Sequence, residues 1–344
     1  MKKITYLSVC ILVGFTASWL GIPAGWLLGS IVTGILWGVL IGGIQFDRKL
    51  FKIALAFVAA SIGLRLDPNI LIHMKSLLLP LFFTISLTLM AGYFLSVLLY
   101  KKSNLDPMTA FFCCIPGGAS EIIGISRDFG ADDRIVAAFH TVRMTFFVLV
   151  IPLIVVTLNA GSTAGAVLET KQLALSHLLF FPIVAVLTLF LDKKLRIPGG
   201  TLLFSIIIGF ILSSFVLEIP DPPAYLSGIG QAFIGGLVGI RFDRLVLYQL
   251  LKVGKITVGI MSIFFGVSLL TSVLFHYMTK LSFSTSLIGI VPAGAAEMSA
   301  TAIALDLSPS VVASLHIVRV ILLFLALPLF IKIFKTIHKE PVKT

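Results

Sequence analysis

Charge is what this sequence has least of. Only 12% of its 344 residues are charged, 58% are hydrophobic, and the mean hydropathy is +1.10. A soluble domain cannot clothe its surface with so few charges. The net charge of +11 is scattered rather than gathered into a patch, so no direct nucleic-acid partner is expected. Cysteine is scarce too. Cys10, Cys113 and Cys114 lie in apolar surroundings with no CxxC or Cys/His spacing, which argues against a disulfide framework or a zinc site. No G-x-x-x-x-G-K-[ST] phosphate loop is present, so the chain carries no ATPase of that type. No linker or low-complexity tract divides it. No catalytic residue, metal or cofactor is expected, and the chain does not read as an enzyme.

What is abundant is the apolar run. Stretches of about twenty apolar residues recur along the whole length, the signature of an all-α polytopic protein whose main partner is the lipid bilayer. Six segments fall near 5–20, 23–42, 51–65, 76–99, 107–126 and 134–159. Six more fall near 172–191, 198–216, 226–241, 253–278, 283–305 and 310–334. Pro23 and Pro198 stand at helix starts, where proline is tolerated.

The second six repeat the first. IPAGWLLGSIVTG (22–34) matches IPGGTLLFSIIIG (197–209) at an offset of 175. AFVAASIGLRLD (56–67) matches AFIGGLVGIRFD (232–243), IPGGASE (115–121) matches VPAGAAE (291–297), and FHTVR (139–143) matches LHIVR (315–319), all at 176. Shared hydrophobicity arises by chance; Arg-x-Asp, Glu and His-x-x-Arg at one offset do not. The chain is therefore a duplication, residues 1–160 and 171–336, forming one membrane domain. The opening MKKITYLSVCILVGF could pass for a signal peptide. Its partner at 172–191 lies mid-chain, so it reads as a retained span.

Lysine and arginine placement discriminates between topologies. If all twelve segments cross, the basic residues divide about 13 to 11 between the two sides, which is no bias. If the fifth segment of each half dips in and returns, each half crosses five times and the second half is inverted. Then 20 of the 26 basic residues lie inside, Arg65, Lys75, Lys171 and Lys280 lie outside, and Arg143 and Arg319 stay within the membrane. The expected architecture is thus two inverted repeats, each of about five transmembrane helices plus one re-entrant broken-helix hairpin, with both termini cytoplasmic.

The segments made re-entrant carry the helix breakers, Pro116, Gly117 and Gly118 in one and Pro292 and Gly294 in the other. Irregular backbone at membrane depth survives only where it is buried in protein or lines a wet cavity, and inverted-repeat transporters place such breaks at a midplane site. Gly117 and Gly118 are expected to take backbone angles closed to other residues. A glycine kink for close helix packing is the plainer alternative. Glu121 and Glu297 follow the breaks, and a charge at membrane depth usually faces a cavity or a partner. His140 and Arg143 share one helix face, as do His316 and Arg319. Two compatible readings follow. Structurally, Glu121–Arg143 and Glu297–Arg319 are counter-ion pairs. Functionally, the arginines grip an anionic group while glutamate and histidine exchange protons. Arg65-x-Asp67 and Arg241-x-Asp243 read as helix-end caps, and His73, His177, His276 and His338, without repeat partners, as interfacial residues.

GIPAGWLLGSIVTG, IGLRLD, IPGGASEIIG, FHTVR and their second copies resemble the AbrB family of duplicated bacterial membrane proteins. That family is distinct from the small DNA-binding regulators sharing the name. The resemblance spans nearly the whole chain and implies a multi-pass protein of the bacterial cytoplasmic membrane. Its members are variously labelled transport protein, regulator of gene expression and ammonia monooxygenase. More distantly, the layout is similar to that of the cation/proton antiporter and anion transporter superfamily and the 2-hydroxycarboxylate transporters. The expected function is an ion-coupled secondary transporter of a small, anionic solute, with assembly as a homodimer compatible with the layout. The alternatives are a membrane-embedded regulator acting through a partner and, least supported, a monooxygenase. The last lacks the Glu-x-x-His pairs of a carboxylate di-iron site.

Overall fold

The computed structural model describes residues 2–64, 66, 70–117, 119–158, 174–195, 197, 199–216, 219–220 and 222–337. Every element among them is a helix. The first half holds α1 (Lys2–Trp19), α2 (Gly25–Leu40), α3 (Arg48–Leu64), α4 (Ile70–Lys102), α5 (Pro107–Cys114), α6 (Ala119–Asp128) and α7 (Asp133–Leu158). The second holds α8 (Leu175–Leu195), α9 (Gly200–Phe215), α10 (Ala224–Gly239), α11 (Arg244–Val253), α12 (Ile256–Thr279), α13 (Phe283–Ile290), α14 (Ala295–Ala304) and α15 (Pro309–Ile337). Each expected apolar segment is one helix, except that both fifth segments are broken pairs, α5/α6 and α13/α14. Residues within α4, α7, α12 and α15 are long and apolar enough to cross a bilayer, and α2 and α9 are shorter apolar helices. Large apolar side chains such as Phe82, Phe94, Phe190 and Leu325 stand exposed on the outside, as lipid-facing residues do.

The duplication extends to caps and turns. Asp106 caps α5 through Thr109 N at 2.8 Å, and its mate Ser282 caps α13 through Thr285 N at 3.1 Å. Gly130 (φ 76°) and Asp306 (φ 49°), also mates, make the same left-handed turn beyond α6 and α14. The N-caps of α2 and α9, Ala24 and Gly199, are left-handed as well. Pro23 precedes α2 closely, whereas Pro198 lies outside the described residues. The copies diverge at Gly254, whose φ of 83° ends α11 before α12 begins. The corresponding residue is Leu78, where α4 runs on unbroken.

The halves interlock through glycine. At Gly34 of α2, an added Cβ would lie 2.7 Å from Ile240 N and 2.8 Å from Gly239 Cα. At Gly209 of α9 it would lie 3.1 Å from Ala60 O and 3.5 Å from Gly63 Cα. Gly209 and Gly63 are the mates of Gly34 and Gly239, so one close contact recurs on both sides of the molecule. Polar contacts also join the halves. Lys52 at the start of α3 pairs with Asp192 near the end of α8, and Arg244 donates to the carbonyls of Val39 and Leu40 at 2.6 and 2.7 Å. All three cysteines are buried and free.

Candidate functional site

The two breaks have one local cause. A residue preceding proline is driven into extended backbone. Ile115, before Pro116, sits at φ −67°, ψ 126°, and Val291, before Pro292, at φ −55°, ψ 137°. Each ends its half-helix and leaves carbonyls without intrahelical donors.

His-x-x-Arg supplies the missing donors. His140 Nε2 lies 2.9 Å from Phe112 O, and Arg143 donates to Ile115 O at 3.4 Å. In the second half, His316 Nε2 lies 2.9 Å from Ile288 O. Arg319 donates to Ile290 O at 3.3 Å, Val291 O at 2.5 Å and Ala293 O at 2.8 Å. A carbonyl only accepts, so each Nε2 carries the proton and donates. Each Nδ1 is then an acceptor, and the arginine of the same helix donates to it, Arg143 at 3.0 Å and Arg319 at 2.8 Å. A second proton on either ring would sit between two donors. In this arrangement each histidine is a neutral strut between arginine and carbonyl.

The counter-ion reading is corrected in the second half. Arg319 makes its described bonds to carbonyls and to His316, and no Glu297–Arg319 salt bridge forms. The side chain of Glu121 and the whole of Gly118 lie outside the described residues. The ion pairs among the described residues are Lys52–Asp192 and Arg127–Asp133. Arg143 and Arg319 thus stand within electrostatic reach of one another, 1% and 8% exposed, with no paired carboxylate among the described side chains. Arg143 Nε has no hydrogen-bond partner among them either, and the guanidinium faces the Phe264 ring at 5.4 Å. Between the breaks lies a small cavity of about 10 Å³, room for roughly one water, lined by Pro116, Pro292, Arg319, Thr84 and Thr88 among others.

Glu297 occupies the first turn of α14, whose N-cap is Gly294. It is 2% exposed. Oε1 has no hydrogen-bond partner among the described residues. The charge that bears on it is that of Arg241, an exposed residue just past α10 whose guanidinium lies over the Phe51 ring at 5.1 Å. Sequence reasoning missed this residue. The repeated Arg-x-Asp motif was the available signal, and only its aspartate fits the capping expectation: Asp243 caps α11 through Val246 N at 3.0 Å.

The glycines serve by small size. Gly117 does not take the left-handed angles expected of it; an added Cβ would meet Ile122 Cγ1 at 2.6 Å. Gly294 has φ −70°, ψ 137°, and a Cβ there would collide with the Glu297 carboxyl and meet Met144 Cε at 2.8 Å. His177 and His276 cap helix-end groups: His177 meets Pro220 O at 2.8 Å and Ala174 N at 3.1 Å, and His276 meets Leu281 O. The side chain of His73 and all of His338 lie outside the described residues.

Comparison with known proteins agrees with this layout. The chain is 25% identical to "Uncharacterized protein YhjN" of Bacillus subtilis (strain 168), over 99% of its own length and 95% of that protein's. It is 30% identical to "Putative regulator AbrB" of Escherichia coli (strain K12), over 72% and 71% of the two lengths. The sequence model of the family described as "Transition state regulatory protein AbrB" matches residues 26–335. Both breaks and both His-x-x-Arg pairs lie within that match, and the chain belongs to the AbrB family.

Proposed function

We propose that this protein is a secondary transporter of the bacterial cytoplasmic membrane, ion-coupled, which moves a small anionic solute through the space between Pro116 and Pro292. The observation that carries the reading is the pair Arg143 and Arg319. Two guanidiniums, one from each half, are buried within electrostatic reach of each other and rest on neutral acceptors. A buried charge costs several kcal/mol unless it is paired. An anion between them lowers that cost, and a guanidinium fork is shaped for carboxylate or a similar oxyanion.

Several contacts support the topology this requires. Thr109, Phe112 and Ile115 of α5 meet Asp132, His140 and Arg143 in rising order along both segments. So α5 runs alongside α7 in the same direction with its start level with that of α7, as in a hairpin whose second arm, α6, returns the chain. α13 meets α15 in the same order. For inversion, α2 and α10 run in the same direction, since Gly235, Gly239 and Phe242 approach Leu27, Gly34 and Gly38 in turn. α3 opposes α10, with Ser61 near Ser227 and Val58 near Gly230. By the same repeat contact α9 follows α3, so α2 and its copy α9 run oppositely. The Lys52–Asp192 pair supports a shared cytoplasmic side for two loops that a twelve-crossing chain would separate, and hence both termini inside.

The name of the Escherichia coli relative favours a second reading, a membrane regulator that signals through a soluble partner. An oxygenase gains no support from the geometry. Both ring nitrogens of His140 and of His316 are engaged, and the described residues hold no cluster of three metal-ligating His, Cys, Asp or Glu side chains.

The test is uptake of candidate anions into proteoliposomes with and without a pH gradient. Arg143→Gln and Arg319→Gln should abolish it, and Glu121→Gln and Glu297→Gln should alter its coupling. Unchanged transport in folded variants at both arginines would defeat the anion site. A transcriptional effect that survives all four substitutions, with no solute moved by the parent, would favour the regulator.

A further inference from the structure

The transport reading calls for a coupling ion, and the surroundings of Glu297 bear on which ion that is. The side chain is 98% buried by its 2% exposure, and Oε1 has no hydrogen-bond partner among the described residues. The carboxyl is pressed against Gly294, where even a methyl group would displace it, close to Met144 Cε. A buried carboxylate with one bare oxygen is costly, and either a proton or a metal ion would relieve it.

A metal ion fits poorly. It needs several oxygens at once, and the carbonyls freed at the preceding break, those of Ile290, Val291 and Ala293, already accept from Arg319. A proton needs one oxygen and little room.

Charge around the group also points to a proton. α14 packs against α3, α7, α10, α13 and α15. The buried charged or titratable groups described on these helices are His140, Arg143, His316 and Arg319, and Arg48 and Arg241 stand at the ends of α3 and α10. Four of these form the two His-x-x-Arg struts, and Arg48 bears on Arg241. Arg241 is the one whose charge acts on Glu297, and it stands exposed beyond the end of α10. The first turn of α14 adds partial positive charge on the same side. These two features favour the carboxylate and burial favours the acid, so opposing effects meet at this one group. The arginine pair and Glu297 are then separate sites, one for the solute and one for its coupling ion.

We propose that Glu297 binds and releases one proton per transport cycle. The proposal rests on the transport reading for its purpose but not for its test. The full-length protein in lipid nanodiscs is titrated by infrared difference spectroscopy without added solute. Acidification should produce a protonated-carboxyl C=O band that is missing in Glu297→Gln. In Arg241→Gln the band should persist to higher pH, because the neighbouring positive charge is gone. A second measurement uses the parent protein alone: a hydrophobic carbodiimide, which attacks protonated carboxyls in apolar surroundings, should label the Glu297 peptide in acid and spare it in alkali. A band unchanged in Glu297→Gln, or a Glu297 peptide unlabelled at every pH, overturns the proposal. So does removal of the band by sodium at fixed pH, which assigns the site to a metal cation. Absent solute transport with the band intact would instead remove the transport reading and leave the proton site standing.

Discussion

Arg319 donates a hydrogen bond to Nδ1 of His316 at 2.8 Å, and that histidine donates its own N–H to Ile288 O at 2.9 Å. The relay joins one long helix to the last turn of a broken one. Its twin, Arg143–His140–Phe112, is built in the same order.

Removing the strut should cost stability. His316→Ala leaves an Arg319 N–H and the Ile288 carbonyl unpaired, a loss of about 1–3 kcal/mol for each buried group. Thermal unfolding in detergent should show a clear drop in midpoint. A midpoint equal to that of the parent would mean that water or another side chain replaces the ring.

Lysine should not replace either arginine. Arg319 reaches three carbonyls and a ring nitrogen with a planar fork, whereas lysine offers a single point charge. Arg143→Lys and Arg319→Lys should each lower initial uptake into proteoliposomes roughly ten- to a hundredfold, the equivalent of about 1.5–3 kcal/mol. Uptake within twofold of the parent would show that charge alone suffices.

The glycine contacts predict a sharp positional contrast. Gly34→Ala places a methyl against the backbone of α10 and should destabilise by about 1–3 kcal/mol. Gly259→Ala in α12 meets nothing within 4 Å and should be neutral or stabilising by about 0.5–1 kcal/mol, since alanine is the better helix former. Equal unfolding midpoints for the two variants would contradict the interlock.

Sidedness can be read by thiol labelling. Cys10, Cys113 and Cys114 are buried, so the background should be low. Single cysteines at Lys193 and at Arg244 should react only from the cytoplasm, and one at Lys280 only from the opposite side. External labelling of the first two would refute the inverted arrangement.

The elements were legible because the repeat announces itself twice. Apolar run lengths located the helices apart from α11, whose charged and polar residues interrupt any apolar run, and Pro116 and Pro292 located the breaks, since proline dictates the residue before it whatever the surroundings. Partner choice was less legible. Arg319 could equally have met a glutamate or an orphan carbonyl, and sequence spacing on one helix does not say which lies across from it. Arg241 was hidden for a related reason. Its motif-mate Asp243 has an evident local job as a helix cap, while the arginine acts on a residue brought close only by tertiary packing.

Gly254 breaks the second copy of a helix that runs unbroken in the first. In a transporter of two inverted halves, the inward and outward states arise when the halves exchange shapes. A bend available to only one half makes those shapes unequal in energy. Such a molecule has a resting orientation before any solute or ion binds, and filling Gly254 with a side chain would redistribute that preference without touching either site.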